Sequence, residues 1–203
     1  MNRKTGMYSS MVTLAAVLAF AASMLAGSNY GAYLSSLFIA WGFVPLICAF
    51  AAAGDKESKA AGYTAAAFAA VYAALNTAVY FTQMTTVALT HLNEQASTLL
   101  DYSKFGLMFN LDLLGYAFMA LATFFAGLTI KAEGRADKWL KGLLLVHGVF
   151  AVACTVMPLL GIFKPGMAGG DLIGTLVLEF WCAYFVPVCI LAFRYFGKRR
   201  SGL

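Results

Sequence analysis

Six stretches of the sequence are apolar over a length that fits the thickness of a lipid bilayer. A transmembrane helix needs about 20 consecutive, mostly apolar residues, because the hydrocarbon core is about 30 Å thick. The stretches cover about residues 7–28, 33–53, 61–90, 105–130, 139–163 and 171–197. The sequence therefore predicts an all-α integral membrane protein, with one membrane domain over residues 1–203 that is a bundle of six transmembrane helices.

The composition excludes a soluble globular domain. Hydrophobic residues make up 62% of the chain and charged residues 11%, whereas soluble domains carry about 25% charged residues. The predicted loops are too short to form a separate domain. The first span follows a basic segment, "MNRK", as the core of a signal peptide would, but its apolar stretch is long for one. We expect this span to be retained.

The positive charges lie between the spans and mostly on one side of the predicted membrane. With six crossings, twelve of the 14 Lys and Arg residues fall on the side of the termini, and only Lys104 and Lys164 fall on the other. Loops rich in Lys and Arg remain in the cytoplasm. Both termini are therefore predicted to be cytoplasmic, in a protein of a bacterial inner (plasma) membrane.

The net charge of +5 does not indicate nucleic-acid binding, because it is distributed over short segments between apolar runs. The basic C-terminal tail, "RYFGKRRSGL", fits an anionic lipid surface instead. We expect membrane lipids, and no nucleic acid, among the partners. Self-association into a homo-oligomer is a further expectation for a chain of this size.

Sequence motifs of catalysis and metal binding are missing. The chain contains no H-E-x-x-H, no G-x-S-x-G and no P-loop. Its two histidines are far apart, and its four cysteines lie inside apolar runs without C-x-x-C spacing, as small buried residues do. We expect no catalytic residue that a motif identifies, no metal and no cofactor.

One acid lies inside the fourth span, in the segment "FNLDLLGYAF". At about 100° per residue, Asp112 shares a helix face with small and polar residues, while the opposite face is leucine and phenylalanine. Acids within a membrane are costly and face the interior of a bundle. Asp112 is therefore predicted to face inward, together with Gly115, Tyr116, Met119, Thr123 and Ala126.

Two further spans carry polar residues that we expect at the same depth. Span 3 has a stripe with helical spacing, and span 6 contributes Glu179. With a rise of about 1.5 Å per residue, Gln83, Asp112 and Glu179 each lie about 10–12 Å inside the outer end of their spans. These groups are predicted to meet in a polar cavity that opens outward. The stripe comprises Tyr72, Asn76, Tyr80, Gln83 and Thr90.

Two carboxyl groups close together in a low dielectric cannot both ionise easily. No Lys or Arg lies at their depth, so a shared proton, a bound cation or water must compensate Asp112 and Glu179. Such a pair favours a cationic or neutral ligand. The alternative is structural: one or both acids are protonated and bond to Tyr80, Gln83 or Tyr116, as contacts between helices worth about 0.6 kcal/mol each.

His147, in span 5, lies about 12 Å from the cytoplasmic end, too far from the acids for direct contact. A buried neutral histidine bonded across helices is one interpretation, and a step in a proton path is the other.

Two further features concern helix packing and the longest external loop. Small residues at every fourth position in span 1 (Ala15, Ala19, Ser23, Gly27) and span 3 (Gly62, Ala66, Ala70, Ala74) predict close helix contacts. The external segment 91–104 is predicted to be either an interfacial helix, with Leu92, Ala96, Leu99 and Leu100 on one face, or a polar connector.

These patterns favour a small-molecule binding or transport protein, coupled to protons or cations through Asp112 and Glu179. Asn76, Tyr80, Gln83 and Tyr116 are predicted to supply hydrogen bonds to the ligand. Two other classes fit the same sequence. One is a membrane-embedded enzyme that acts on a lipid-like substrate through the acid pair. The other is a structural or sensor subunit of a membrane complex.

Overall fold

The computed structural model describes residues 2–163 and 170–198, and all regular structure in these ranges is helical. Six helical segments are long and apolar enough to cross a membrane, as the sequence predicts. The segment Arg135–Leu159, which forms one of the six, consists of two helices. The helices are α1 (Asn2–Leu25), α2 (Asn29–Ala53), α3 (Lys59–Thr82), α4 (Glu94–Leu100), α5 (Leu107–Thr129), α6 (Arg135–His147), α7 (Val149–Leu159) and α8 (Gly170–Lys198).

The fifth predicted span begins four residues earlier than expected and is interrupted at Gly148. At this point α5 comes very close, because a Cβ on Gly148 would lie 2.9 Å from the Phe124 Cβ. A glycine here permits the approach of the two backbones. The interruption divides the span into α6, which carries the buried His147, and α7, which has no buried residue.

The helices form a ring in which each contacts its neighbours. α1 packs between α2 and α8, and α3 packs between α2 and α5. α5 then contacts α6 and α7, and α6 contacts α8, which closes the ring. Aromatic side chains fill the interior. The centroid of the Phe43 ring lies 5.3 Å from that of Tyr72 and 6.2 Å from that of Phe185.

Of the four small residues of span 1 that were predicted to contact other helices, only Ser23 comes close to α2, where a Cβ on Gly31 would lie 2.5 Å from its Oγ. Ala15, Ala19 and Gly27 are exposed on the surface of the bundle. The buried face of α1 contains Gly6, Ser9, Ser10, Thr13, Ala16, Val17 and Phe20. In α3 only Gly62 of the predicted four is buried, and a Cβ on it would lie 3.0 Å from Ala51. Alanine occurs on every face of these helices, so its spacing does not identify the contact face.

The start of α1 and the end of α8 lie together. The Arg3 guanidinium donates from Nε to the Phe196 carbonyl at 3.1 Å and from Nη2 to the Gly197 carbonyl at 2.9 Å. These carbonyls are among the last in α8, where a cation is favourable. The two ends therefore share one end of the bundle. Their cytoplasmic location remains a prediction, and three of the charges behind it, Lys164, Arg199 and Arg200, lie outside the described residues.

Asp55 and Lys131 follow the last residues of α2 and α5. Asp55 accepts a hydrogen bond from the Ser58 backbone N–H at 2.8 Å, and its carboxylate forms an ion pair with the Lys131 amine at 3.1 Å. The Ser58 bonds and Lys131 lower the pKa of the Asp55 carboxyl to about 2, from an ordinary value of about 3.9. The ionised form is thus favoured in the folded protein, so this stabilisation is present above about pH 4 and is lost as the pH falls toward 2.

We therefore expect thermal stability to fall less between pH 5 and pH 2 in Asp55→Asn than in the original protein. Asparagine retains an acceptor for the Ser58 N–H and does not titrate. Thermal unfolding in detergent at several pH values measures the difference. Equal pH dependence in both proteins would show that Asp55 does not contribute in this way.

Candidate functional site

Asp112 is buried in the middle of a hydrogen-bonded cluster between α3 and α5, and only 1% of its surface is exposed. Its Oδ1 accepts a hydrogen bond from the Asn76 Nδ2 at 2.6 Å. Its Oδ2 accepts one from the Tyr102 hydroxyl at 3.1 Å. Asp112 faces the interior of the bundle, as the helix period predicts. Gly115, Met119, Thr123 and Ala126 are buried on the same face of α5.

The polar stripe of α3 faces α5 over most of its length. Tyr72, Asn76, Tyr80 and Gln83 are all buried, whereas Thr90 is exposed, in contrast to its predicted place in the stripe. After Thr82 the helix continues as a π-helical turn, Gln83–Val87. A π-helical turn contains an additional residue and changes the register of the residues after it. The stripe therefore ends at Gln83.

Gly115 allows Asn76 to reach the acid. A Cβ on Gly115 would overlap the Asn76 Oδ1, so only glycine leaves space for the amide against the backbone of α5. Asn76 is fully buried, and its Oδ1 has no hydrogen-bond partner in the described structure. An unpaired buried acceptor is costly. The site thus contains an uncompensated acceptor beside a carboxyl group.

Tyrosines surround the cluster on two sides. The Tyr80 hydroxyl bonds to that of Tyr116 at 3.2 Å and also faces the Asp112 carboxyl. The Tyr33 ring of α2 stacks on that of Tyr80, with centroids 5.7 Å apart, and contacts the Tyr102 ring at 6.1 Å. All of these hydroxyls are neutral groups, so they lower the cost of a buried carboxylate without cancelling its charge.

The segment from residue 93 to residue 106, which we call the strap, covers the cluster. It contains α4 and a single 3₁₀ turn, Tyr102–Lys104. Gln83 holds it with two bonds: its Nε2 donates to the Leu100 carbonyl at 2.8 Å, and its Oε1 accepts from the Tyr102 backbone N–H at 2.9 Å. Burial raises the pKa of the Tyr102 phenol well above its usual range, and the nearby Asp112 raises it further. Tyr102 therefore remains a hydroxyl donor.

The strap combines features of both structures predicted for residues 91–104. The Asn93 Oδ1 caps α4 by accepting from the Ala96 N–H at 2.8 Å. Asparagine is a favoured residue at this position. The helix is only seven residues long and none of its residues is buried. It is therefore a short surface helix within a polar connector.

The two acids of the predicted pair have different surroundings. Among the described residues no hydrogen bond or ion pair joins Asp112 to Glu179. Glu179 is half-buried in α8, and its Oε1 is buried without a hydrogen-bond partner. The contact between the two helices is aromatic, with the Tyr116 and Trp181 rings 5.9 Å apart. A proton shared directly by the two carboxyls is not part of this arrangement.

No Lys, Arg or His side chain forms an ion pair with Asp112 in the part of the chain that the structure describes. The donors around it are the Asn76 amide and the hydroxyls of Tyr80 and Tyr102, and none of them carries a charge. A membrane acid in such surroundings is neutralised by a proton or by a cation that comes from outside the chain. This is the chemistry that the site offers.

His147 belongs to a separate cluster. The Trp181 Nε1–H donates to the His147 Nε2 at 3.1 Å, so the proton of the neutral ring is on Nδ1 and is donated to the Thr123 Oγ1 at 2.8 Å. The Thr123 hydroxyl in turn donates to the Ala120 carbonyl at 2.8 Å. Both ring nitrogens therefore have partners across helices. A role for His147 in a proton path remains a prediction.

Two site residues were not predicted from the sequence. Tyr102 lies in the external segment but was not among the residues of its predicted helical face, and Tyr33 is one of many aromatic residues in an apolar span. The proximity of Tyr102 to Asp112 in the sequence, ten positions apart across a turn, is the only signal for the first.

Comparison of the chain with protein-family models, with curated proteins and with solved structures finds no match.

Proposed function

We propose that the protein binds or transports a small molecule across the membrane, and that Asp112 is the group that takes up a proton or a small cation. The observation that supports this most strongly is a fully enclosed carboxyl group whose recorded hydrogen-bond donors are neutral. Hydrogen bonds from neutral donors do not neutralise a charge in a low dielectric, whereas a proton or a cation does.

The neighbouring groups indicate the chemistry of the ligand. A carboxyl oxygen and the unpartnered Asn76 Oδ1 are both acceptors, so together they fit a ligand that carries N–H donors and a positive charge. Tyr33, Tyr80 and Tyr102 add aromatic faces, which attract organic cations. We therefore favour a proton or a small ammonium-type ligand over an anion.

Glu179 is a second protonatable group in this proposal. It belongs to another helix, and its Oε1 has no partner. We propose that it acts after Asp112, at a later position of the ligand or proton. The distribution of Lys and Arg leads us to propose further that the strap faces outward from a bacterial inner membrane, with both termini in the cytoplasm.

Asp112→Asn tests the function. Asparagine has nearly the shape of aspartate but cannot bind a proton or balance a cation. The protein in nanodiscs is titrated with Na⁺, K⁺, methylammonium and tetramethylammonium, and binding is measured by calorimetry and thermal shift. We expect methylammonium to bind and Asp112→Asn to weaken it about tenfold or more, since a hydrogen bond to a charged group is worth about 1.5–3 kcal/mol.

Glu94→Gln is the control, because Glu94 is an exposed acid of α4. It should bind the same cations as the original protein. If Asp112→Asn binds them equally well but melts at a lower temperature, the acid is a structural contact between helices. If proteoliposomes show no cation-dependent or pH-dependent uptake that Asp112→Asn abolishes, transport through this site is excluded.

A further inference from the structure

The strap is attached to the bundle through the bonds of Gln83 and through the aromatic rings of Tyr102 and Phe105, of which the Phe105 ring lies 4.7 Å from that of Phe109. Gln83, which is 3% exposed, bonds to the backbone of Leu100 and Tyr102. The Tyr102 side chain bonds to Asp112 and packs on Phe109, with ring centroids 5.2 Å apart. The α4 helix has no buried residue. Segments with few buried contacts open at low free energy, so loss of the Gln83 and Tyr102 bonds favours release of the strap.

Tyr102 also occupies a position that a ligand needs. Asn76 and Tyr102 each take one oxygen of the Asp112 carboxyl. The Tyr102 ring packs directly on those of Tyr33 and Tyr80, at 6.1 and 6.3 Å. Rings at these separations are in contact, so no ligand fits between them. A ligand that binds Asp112 from the strap side must displace Tyr102.

The C-terminal end of the strap has a strained backbone. Phe105 has a φ of 53°, the left-handed region, and it is the only non-glycine residue with positive φ among residues 2–163 and 170–198. A bulky side chain is unfavourable there. A Cβ on the next residue, Gly106, would overlap the Thr98 carbonyl, so the strap folds back tightly on α4. Strain of this kind is maintained by surrounding contacts and is released when they separate.

We infer that the strap is a gate over the Asp112 site, and that the Tyr102 hydroxyl holds the place on the carboxyl that the ligand takes when the gate opens. The inference rests on the proposed function and extends it, because it names the residues that control access. Tyr102 then determines affinity as a competitor of the ligand, and Gln83 determines how often the strap opens.

The opening of the strap can be measured without a ligand. In Gln83→Leu, which removes both bonds at nearly the same side-chain size, hydrogen exchange of the Tyr102 backbone amide should be about tenfold faster or more. Gln95→Leu is the matched control, because Gln95 is exposed on α4 and no hydrogen bond is recorded for its side chain. Equal exchange in both variants would overturn the inference, since Gln83 would not hold the strap.

Binding of methylammonium tests the place of Tyr102. Tyr102→Phe keeps the ring contacts and removes the hydroxyl, so we expect it to bind methylammonium about threefold to tenfold more tightly than the original protein, because the ligand no longer competes with that hydroxyl for the carboxyl oxygen. Gln83→Leu should bind with a faster association rate. Tyr63→Phe, at an exposed tyrosine of α3, is the control and should not change binding.

The results separate this inference from the proposed function. If Asp112→Asn loses binding but Tyr102→Phe and Gln83→Leu bind as the original protein does, the gate is wrong and the binding site is supported. If all variants, including Asp112→Asn, bind equally, the proposed function fails, and the inference fails with it. Faster exchange in Gln83→Leu with tighter binding in Tyr102→Phe supports both.

Discussion

Gly115→Ala should destabilise the protein strongly, because the new methyl group would overlap the Asn76 amide. Relief requires either that α3 and α5 move apart or that Asn76 turns away from Asp112. Overpacking of this kind costs about 1–3 kcal/mol, and a buried polar group that loses its bond costs about 1–3 kcal/mol. The free energy of unfolding, or the thermal midpoint in detergent, measures the effect.

Gly142→Ala is the matched control. Gly142 is also inside a helix, α6, and a Cβ there would have no atom within 4 Å. Alanine is the better helix former by about 1 kcal/mol, so this variant should be as stable as the original protein or more stable. If the two variants had the same stability, the close approach of α3 and α5 at Asn76 would not be present in the membrane.

His147→Leu is expected to have the second large effect. Leucine fills much of the space but cannot accept the Trp181 N–H, which is then buried without a partner. The cost of such an orphaned donor is about 1–3 kcal/mol. Thr123 is less affected, because it retains its bond to the Ala120 carbonyl. The stability loss is measured by unfolding in mixed detergent.

A double-mutant cycle isolates the bond. Trp181→Phe removes the donor, and the double variant His147→Leu/Trp181→Phe leaves neither partner unpaired. The double variant should therefore lose less stability than the two single variants added together, with a coupling of about 0.6–1.7 kcal/mol, as found for polar contacts within membranes. Strict additivity would mean that the histidine and the tryptophan do not interact.

Together these variants separate two polar clusters with different roles. The His147 cluster is complete: each ring nitrogen has a partner from another helix, and the contact joins α5, α6 and α8. The Asp112 cluster is incomplete, because the carboxyl has no basic partner in the described residues and the Asn76 Oδ1 has no donor. A complete cluster stabilises the bundle, whereas the incomplete one leaves an acceptor and a carboxyl group for the ligand that we propose.

Helical periodicity in the sequence predicted many of the site residues. The face of α5 that carries Asp112 and the stripe from Tyr72 to Gln83 both follow from a period of about 3.6 residues, because a polar side chain within a membrane faces protein. Depth estimates placed Glu179 at the level of Asp112. These estimates did not predict which residues surround the Glu179 side chain, because depth along a helix does not specify its neighbours.

Local patterns failed where a contact depends on the neighbouring helix. The alanine spacing of span 1 predicts the wrong face, because the surface that α2 and α8 cover is formed by Gly6, Thr13 and Phe20 instead. The break at Gly148 lies against Phe124 of α5, and the polar stripe ends where the π-helical turn follows Thr82. These features have no periodic signal in the sequence.

The sequence by itself determined that the protein has six helices long and apolar enough to cross a membrane, because the length and hydrophobicity of each span are properties of that span alone. It also determined that Asp112 faces inward. Only the tertiary structure decided which side chains reach the acid. Tyr102 comes from a surface loop and Asn76 from another helix, and their meeting depends on the glycine contact at Gly115 and the two bonds of Gln83. Such contacts depend on the order of the helices around the ring, which no single segment specifies.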